Sequence, residues 1–208
     1  MNFRRAVYII GLLFVFSTAG AQINIYAGGN LQGNYSWLRA DDHTFKPGFG
    51  GGISFVYWEY EYWFLKAGFE YSYKSSSTLR YPDDYEVDII SPGDKINIEY
   101  FEQTIGVPLT IYFRPFESGD NALLVTGTLE PMMVVHLKEN SDEFGEVIRK
   151  GTDVKSRMKT NLGIGVGYQR QLDRYKYLNI YPSFNVDMRS HRPFNSVTLT
   201  AELLFGVY

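Results

Sequence analysis

The side chains able to do chemistry are few, and their spacing is not that of an active site. The chain has three histidines, His43, His136 and His191. Asp41, Asp42 and Ser36 lie near His43, and Ser190 and Ser196 flank His191. Imidazole, carboxylate and hydroxyl groups are the parts of a hydrolase or an acyltransferase. No spacing here sets a nucleophile beside a base, as that chemistry requires. A metal site needs ligands that converge, and nothing in the pattern brings the three histidines together. Cysteine is absent, which removes disulfides, thiolate metal ligands and a cysteine nucleophile. The glycine-rich run Gly48 to Gly52 lacks the lysine and helix of a phosphate loop, and reads as tight packing inside a strand. We therefore assign no catalytic residue, no metal ligand and no cofactor from the sequence. The formal charge of −3 does not suggest a nucleic-acid partner.

Two other groups of charged residues carry more information. Lys66, Glu70, Glu102, Arg114, Glu130, Arg157, Lys159, Asp187 and Glu202 recur within stretches that otherwise alternate apolar and polar residues. Asp83, Asp84, Glu86, Asp88, Glu139, Asp142 and Glu143 gather instead in long polar connections. What each group can do depends on the elements that position it.

The clearest element is Val154 to Leu172. Val154, Met158, Leu162, Ile164, Val166, Tyr168 and Leu172 fall on one parity. Lys155, Arg157, Lys159, Asn161, Gly163, Gly165, Gly167, Gln169 and Gln171 fall on the other. A period of two is that of a strand. It persists far beyond the five or six residues of an ordinary globular strand. Seven further stretches repeat the pattern: about 23–37, 45–57, 62–73, 96–114, 123–137, 177–188 and 196–208. In the stretch 96–114 the parity changes, since Ile96, Ile98 and Tyr100 are apolar while Ile105, Val107, Leu109, Ile111 and Phe113 have odd numbers. Either a β-bulge near Glu99–Glu102 explains this, or residues 96–100 stand above a membrane, where the alternation is not required.

Eight strands invite two closed folds, a soluble barrel with the oily face inward and a membrane barrel with it outward. Three features favour the second. The polar face is rich in Gly, Asn, Gln, Ser and Thr, whereas a water-facing surface carries dense Lys and Glu. Aromatic residues collect near strand ends (Trp37, Phe45, Tyr57, Trp58, Trp63, Tyr71, Tyr73, Phe113, Tyr168 and Tyr208), as membrane interfaces favour. Connections alternate between short (58–62, 115–121, 173–176) and long, the longest being 74–95 and 138–153, the asymmetry of outer-membrane barrels. After the N-terminal segment no apolar run is long enough for a helical span.

Residues 1–21 read as a signal peptide: Arg4 and Arg5, an apolar core from Ala6 to Phe16, then Ala19-Gly20-Ala21, with cleavage before Gln22. Residues 22–208 then form one domain. We expect an all-β, eight-stranded antiparallel up-and-down transmembrane β-barrel in the outer membrane. Eight strands enclose a space that side chains roughly fill, so a plugged interior is expected. The first group of charges would form an internal salt-bridge network, because buried charges must pair. The second group would form external acidic loops, able to meet lipopolysaccharide through divalent cations or to dock a basic protein.

The signal ending Ala-Gly-Ala-Gln, the segment Tyr100 to Phe113 (YFEQTIGVPLTIYF) with its internal Pro108, and the amphipathic last strand with its aromatic terminus resemble the PorT-like outer-membrane β-barrel family of the Bacteroidota. The resemblance spans the chain from Gln22 onward. One departure is Tyr208, which falls on the polar parity while Phe205 and Val207 carry the oily one. The resemblance implies an integral barrel in contact with outer-membrane lipid, with a possible envelope protein partner and, in some members, a place in secretion or gliding machinery. It implies no enzyme activity. The reading is thus a non-enzymatic scaffold, accessory subunit or surface-binding module. A narrow transporter of a small or apolar solute and a lipid-modifying enzyme are the rivals.

If the faces are assigned correctly, Ile164→Arg or Val166→Arg places a charge in lipid near the bilayer midplane and costs roughly 2–4 kcal/mol. Urea titration of the barrel in lipid vesicles measures it. Assembly as robust as that of the parent chain would reverse the face assignment.

Overall fold

The computed structural model describes residues 24–38, 43–58, 62–80, 96–141, 145–146, 158–188 and 193–207. The expected signal peptide, its cleavage point and Tyr208 lie outside these residues. The strands are β1 (Asn24–Leu38), β2 (His43–Trp58), β3 (Trp63–Arg80), β4 (Ile96–Gly106), β5 (Leu109–Ser118), β6 (Asn121–Ser141), β7 (Gly145–Glu146), β8 (Met158–Asp173), β9 (Lys176–Met188) and β10 (Phe194–Val207). All pairings are antiparallel: β1 with β2, β2 with β3, β3 with both β4 and β5, β6 with β4, β5, β7 and β8, β8 with β9 and β9 with β10, and β1 closes on β10 from Ile25↔Val207 to Leu38↔Phe194.

β4 and β5 form one wall strand, broken at Val107–Pro108 because proline brings no N–H to the ladder. Val107 N–H still donates to the Pro131 carbonyl at 2.9 Å. β7 only extends the edge of β6. The ring therefore has eight walls, an all-β up-and-down transmembrane barrel.

The faces follow the alternation. Leu31, Phe49, Ile53, Phe69, Ile111, Ile164, Val166 and Leu199 stand outward and exposed. Asn30, Ser54, Thr110, Thr126, Asn179, Asn185 and Thr200 are inward and buried. In water this arrangement would leave most of the apolar surface wet. In lipid it is the stable one.

At one end the connections are tight. β5 and β6 are joined through Gly119-Asp120, where Gly119 has a φ of +58°, the left-handed conformation that two-residue hairpins favour. β8 and β9 are joined through Arg174-Tyr175. This is the turn end, and the other is the loop end.

The strands run further toward the loop end than the alternation suggests. β3 continues to Arg80, β6 continues to Ser141, and β10 begins at Phe194. The residues 74–80 and 138–141, expected in loops, are barrel wall. The parity change in the fourth stretch does not come from a bulge in β4. β4 alternates without a break, and Ile98 and Tyr100 simply face inward beside Glu102 and Thr104. The irregularity sits across from it in β6, where Gln103 pairs with His136 but Thr104 pairs with Val134. That extra residue turns His136 outward, away from the polar parity it has in sequence, and brings Glu139 and Ser141 inward.

Several inward glycines let neighbouring chains approach closely. A Cβ on Gly52 would lie 2.1 Å from the Phe69 carbonyl oxygen and 2.8 Å from Glu70 Cγ, whereas a Cβ on Gly127, an outward-facing glycine of β6, meets nothing within 4 Å. Gly52→Ala should destabilise the barrel by about 1–3 kcal/mol through overpacking. Gly127→Ala should stabilise it by roughly 0.5–1 kcal/mol by removing glycine's extra backbone entropy. Paired urea titrations check both signs.

Candidate functional site

The site is the lumen, and its side chains lie in layers. At the turn end the inward positions are aromatic or aliphatic: Tyr26, Val56, Trp58, Phe64, Tyr112, Leu124, Tyr181 and Leu204 form one buried cluster. Trp58 stacks on Phe64 at 4.6 Å between ring centroids, and Phe64 stacks on Tyr112 at 4.6 Å. Tyr112 meets Tyr181 edge-on at 5.8 Å. Arg114 lies 4.7 Å from the Trp58 ring centroid, a cation–π contact, and pairs with Glu117. A bulge in β5 between Phe113 and Phe116 keeps Arg114 inward while Phe116 turns out. Trp58, expected among the interfacial aromatics, is therefore a lumen residue. Apolar rings on the inward parity are the part of the site that alternation did not reveal. The signal was available in Phe64, Tyr112 and Tyr181, aromatic residues on the otherwise polar parity of their strands.

The next layer is charged. Lys66 Nζ lies 3.1 Å from Glu70 Oε1 and 3.1 Å from Glu202 Oε1. Glu202 also accepts hydrogen bonds from Ser54 at 2.9 Å, the Tyr112 hydroxyl at 2.9 Å and Asn179 Nδ2 at 3.0 Å. Glu70 accepts from Asn30 at 2.9 Å and from Gln32 at 2.7 Å. Each carboxylate thus has the several donors that a buried anion needs.

A second charged layer lies toward the loop end. Lys74 Nζ is 3.2 Å from Asp187 Oδ1, and Lys159 reaches Asp187 Oδ2 at 3.4 Å and pairs closely with Glu102. Asp187 Oδ2 also accepts the Phe194 backbone N–H at 3.3 Å. Beyond this layer Leu38, Ile98, Tyr100 and Phe194 are inward and buried. Between the two layers lies a polar cavity of about 50 Å³, lined by Lys66, Glu70, Lys74, Glu130, Asn34 and Asn161 among others. It has room for a few waters and little more.

Of the nine charges singled out in the sequence, Lys66, Glu70, Glu102, Arg114, Glu130, Lys159, Asp187 and Glu202 face the lumen and are buried. Arg157 lies outside the described residues. Lys74 was missed. It begins Lys-Ser-Ser-Ser-Thr, a run that reads as loop, yet it continues the inward series Lys66, Gly68, Glu70, Ser72. Among the acidic loop residues, Asp83, Asp84, Glu86, Asp88, Asp142 and Glu143 lie outside the described residues. Glu139 does not belong with them: the β6 bulge carries it into the wall, inward and buried.

The histidines do not converge on a described site. His136 faces outward opposite Gln103, His43 is described only as the first residue of β2, and His191 lies outside the described residues. No three acidic or imidazole groups among the described residues are arranged to hold a metal ion.

No family model matches the chain, and no curated protein matches it in sequence. Solved structures do resemble it. Neisserial surface protein A (NspA) superposes with a TM-score of 0.52 at 12% identity, over 88% of this chain and 97% of that one. The fold is thus that of a membrane-spanning β-barrel. Ail, the attachment invasion locus protein of Yersinia pestis, gives a TM-score of 0.43 at 17% identity, over 86% and 98%. The N-terminal β-barrel domain of Pseudomonas aeruginosa OprF gives 0.39 at 13%, over 86% and 97%. At these identities the likeness concerns fold alone.

Lys66 stands between two buried carboxylates, so its loss leaves both uncompensated. Lys66→Met should cost about 3–5 kcal/mol. The double variant Lys66→Met/Glu202→Gln should recover part of that loss, because one of the orphaned charges is removed. A double-mutant cycle from urea titrations measures the coupling, and additive losses would mean that the pair does not interact.

Proposed function

We propose that this chain is an outer-membrane protein that works through its outer surfaces and not through its lumen. In this reading it is a non-enzymatic scaffold, an accessory subunit of an envelope or secretion assembly, or a surface-binding module. The observation that carries the reading is the filled interior. Among the described residues a stacked aromatic layer, two ion-paired layers and a buried apolar layer occupy the lumen in turn, with a cavity for a few waters between the charged layers. A solute path would have to cross all of them. The cavity is polar, which disfavours passage of an apolar solute. With the lumen filled, the surfaces left for function are the lipid-facing belt, the turns and the long connections. The resemblance to PorT-like barrels supports an envelope assembly as the setting, with outer-membrane lipid and lipopolysaccharide around the belt.

The protein in planar bilayers should show no discrete conductance steps. Gentle-detergent extraction from the native envelope should recover an envelope protein in stoichiometric amount. Reproducible channel openings would overturn the filled-lumen reading and favour transport. A silent barrel recovered alone would restrict the role to lipid or surface binding.

A further inference from the structure

The bulge in β6 changes which charges that wall shows to its outer surroundings. By parity alone Glu139 stands outward with Val135, and His136 and Lys138 stand inward. The extra residue between the pairs Gln103↔His136 and Thr104↔Val134 reverses this. His136 and Lys138 are exposed, and Glu139 is buried. Bulges re-aim side chains, and this one removes an anion from the outer face and puts an ammonium and an imidazole there. Lys138 makes no ion pair with another described residue. Glu99, on the outward parity of β4, is already held by Lys46. Nothing in the filled lumen requires this exchange of charge on the outside.

A second observation concerns what surrounds the two residues. The register carries one row straight across four walls. Phe49 on β2 pairs with Tyr73 on β3, Tyr73 with Gln103 on β4, and Gln103 with His136 on β6. In the next outward row toward the turn end, Ile105 pairs with Tyr71 and Met133. In the next one toward the loop end, Phe101 pairs with Lys138. The rings form a continuous ladder. Phe49 lies 6.4 Å from Tyr71 and 5.3 Å from Tyr73, and Tyr73 lies 6.4 Å from Phe101, between ring centroids. Along the wall the surface thus passes from apolar, through aromatic, to cationic. Aromatic rings collect at a membrane interface, so Lys138, His136 and Gln103 sit at the level of lipid headgroups.

We propose that this patch is a binding site for a phosphorylated glycolipid of the outer leaflet. The inference rests on the reading of the chain as an outer-membrane barrel with its long connections outside, and it names the lipid class and the residues that meet it. The Lys138 ammonium and the N–H groups of His136 and Gln103 donate to a phosphate, and bonds of this charge-assisted kind are the strong ones. The acyl chains lie along the ladder from Phe101 to Tyr71 and on over Ile105 and Met133. Width selects the lipid. Walls are spaced by about 4.8 Å, so the four from β2 to β6 span roughly 14 Å. A two-chain phospholipid covers only part of that width, whereas a phosphorylated glycolipid carries several acyl chains on one sugar headgroup.

The test is binding of purified diphosphoryl lipid A to the whole barrel in neutral detergent, read by native mass spectrometry. The parent chain should bind it saturably. Lys138→Gln/His136→Gln should weaken binding by roughly tenfold, the scale of a lost charge-assisted hydrogen bond. Dephosphorylated lipid A should bind the parent chain with a similar loss, and the double variant should no longer distinguish the two lipids. Lys176→Gln, at the turn end, should leave the affinity unchanged. Parent-level affinity in the double variant overturns the site. Equal binding of phosphatidylglycerol, with equal sensitivity to the double variant, overturns the glycolipid and assigns the patch to anionic headgroups in general. Absence of saturable binding overturns the proposal altogether, and silence in planar bilayers would then leave the surface-acting reading of the barrel standing. If the double variant does not assemble, Lys138→Gln alone takes its place, and an unchanged affinity there overturns the site.

Discussion

In lipid there is no water to take an unpaired N–H or carbonyl, and this single constraint governs the chain. A sheet can meet it only by closing, so β1 must find β10 across almost the whole sequence. Closure fixes which residues share a face, since one extra residue in a wall exchanges inside for outside. The bulges therefore have structural consequences. The one in β6 brings Glu139 into the wall, and the one in β5 keeps Arg114 beneath Trp58. The break at Pro108 is tolerated because the neighbouring Val107 N–H still reaches the Pro131 carbonyl.

Closure also creates an interior that has to be filled, and two kinds of filling are used. Rings need no partners and pack by area, which suits the turn end, where the wall is drawn together by short connections. Charged and amide side chains need partners from several strands. Glu202 on β10 is reached from β2, β3, β5 and β9, through Ser54, Lys66, Tyr112 and Asn179. Such a residue ties distant walls together and loses several partners at once if the barrel opens. Asp187 does the same between β3, β8 and the start of β10. A buried ion pair is weak evidence of stability by itself. Its value here is in specifying which walls face each other across the lumen.

Much of the wall was legible in the alternation, because lipid imposes the same demand on every outward position. The parities of β1, β8, β9 and β10 follow directly from Leu31, Ile164, Ile180 and Leu199. The inside was legible only in part. Eight of the nine interior charges are where their parity puts them, but Lys74 was hidden in a serine-rich run that has the composition of a loop. Those serines are buried against the rims of β1 and β2: Ser75 donates to the Pro47 carbonyl at 3.0 Å, and Ser76 to that of Thr44 at 3.1 Å. Short polar side chains there serve a bulged wall, and composition cannot distinguish that from solvent exposure.

Trp58 shows the complementary limit. An aromatic residue near a strand end satisfies two different requirements, an interface with lipid headgroups and a cap inside the lumen. Parity separates them only where the neighbouring residues alternate clearly, and at Tyr57-Trp58 both residues are aromatic. What decides is the opposing wall. Tyr26 on β1 and Phe64 on β3 offer rings to Trp58 at 5.6 and 4.6 Å, while Tyr57 is left on the outer face. Partners brought together by closure settle the side chain's direction, and closure joins residues that no local window of sequence contains. The same reasoning holds for Glu130. Its parity gives its side, but only the assembled ring shows that the available lysines are already engaged with Glu70, Glu102, Asp187 and Glu202.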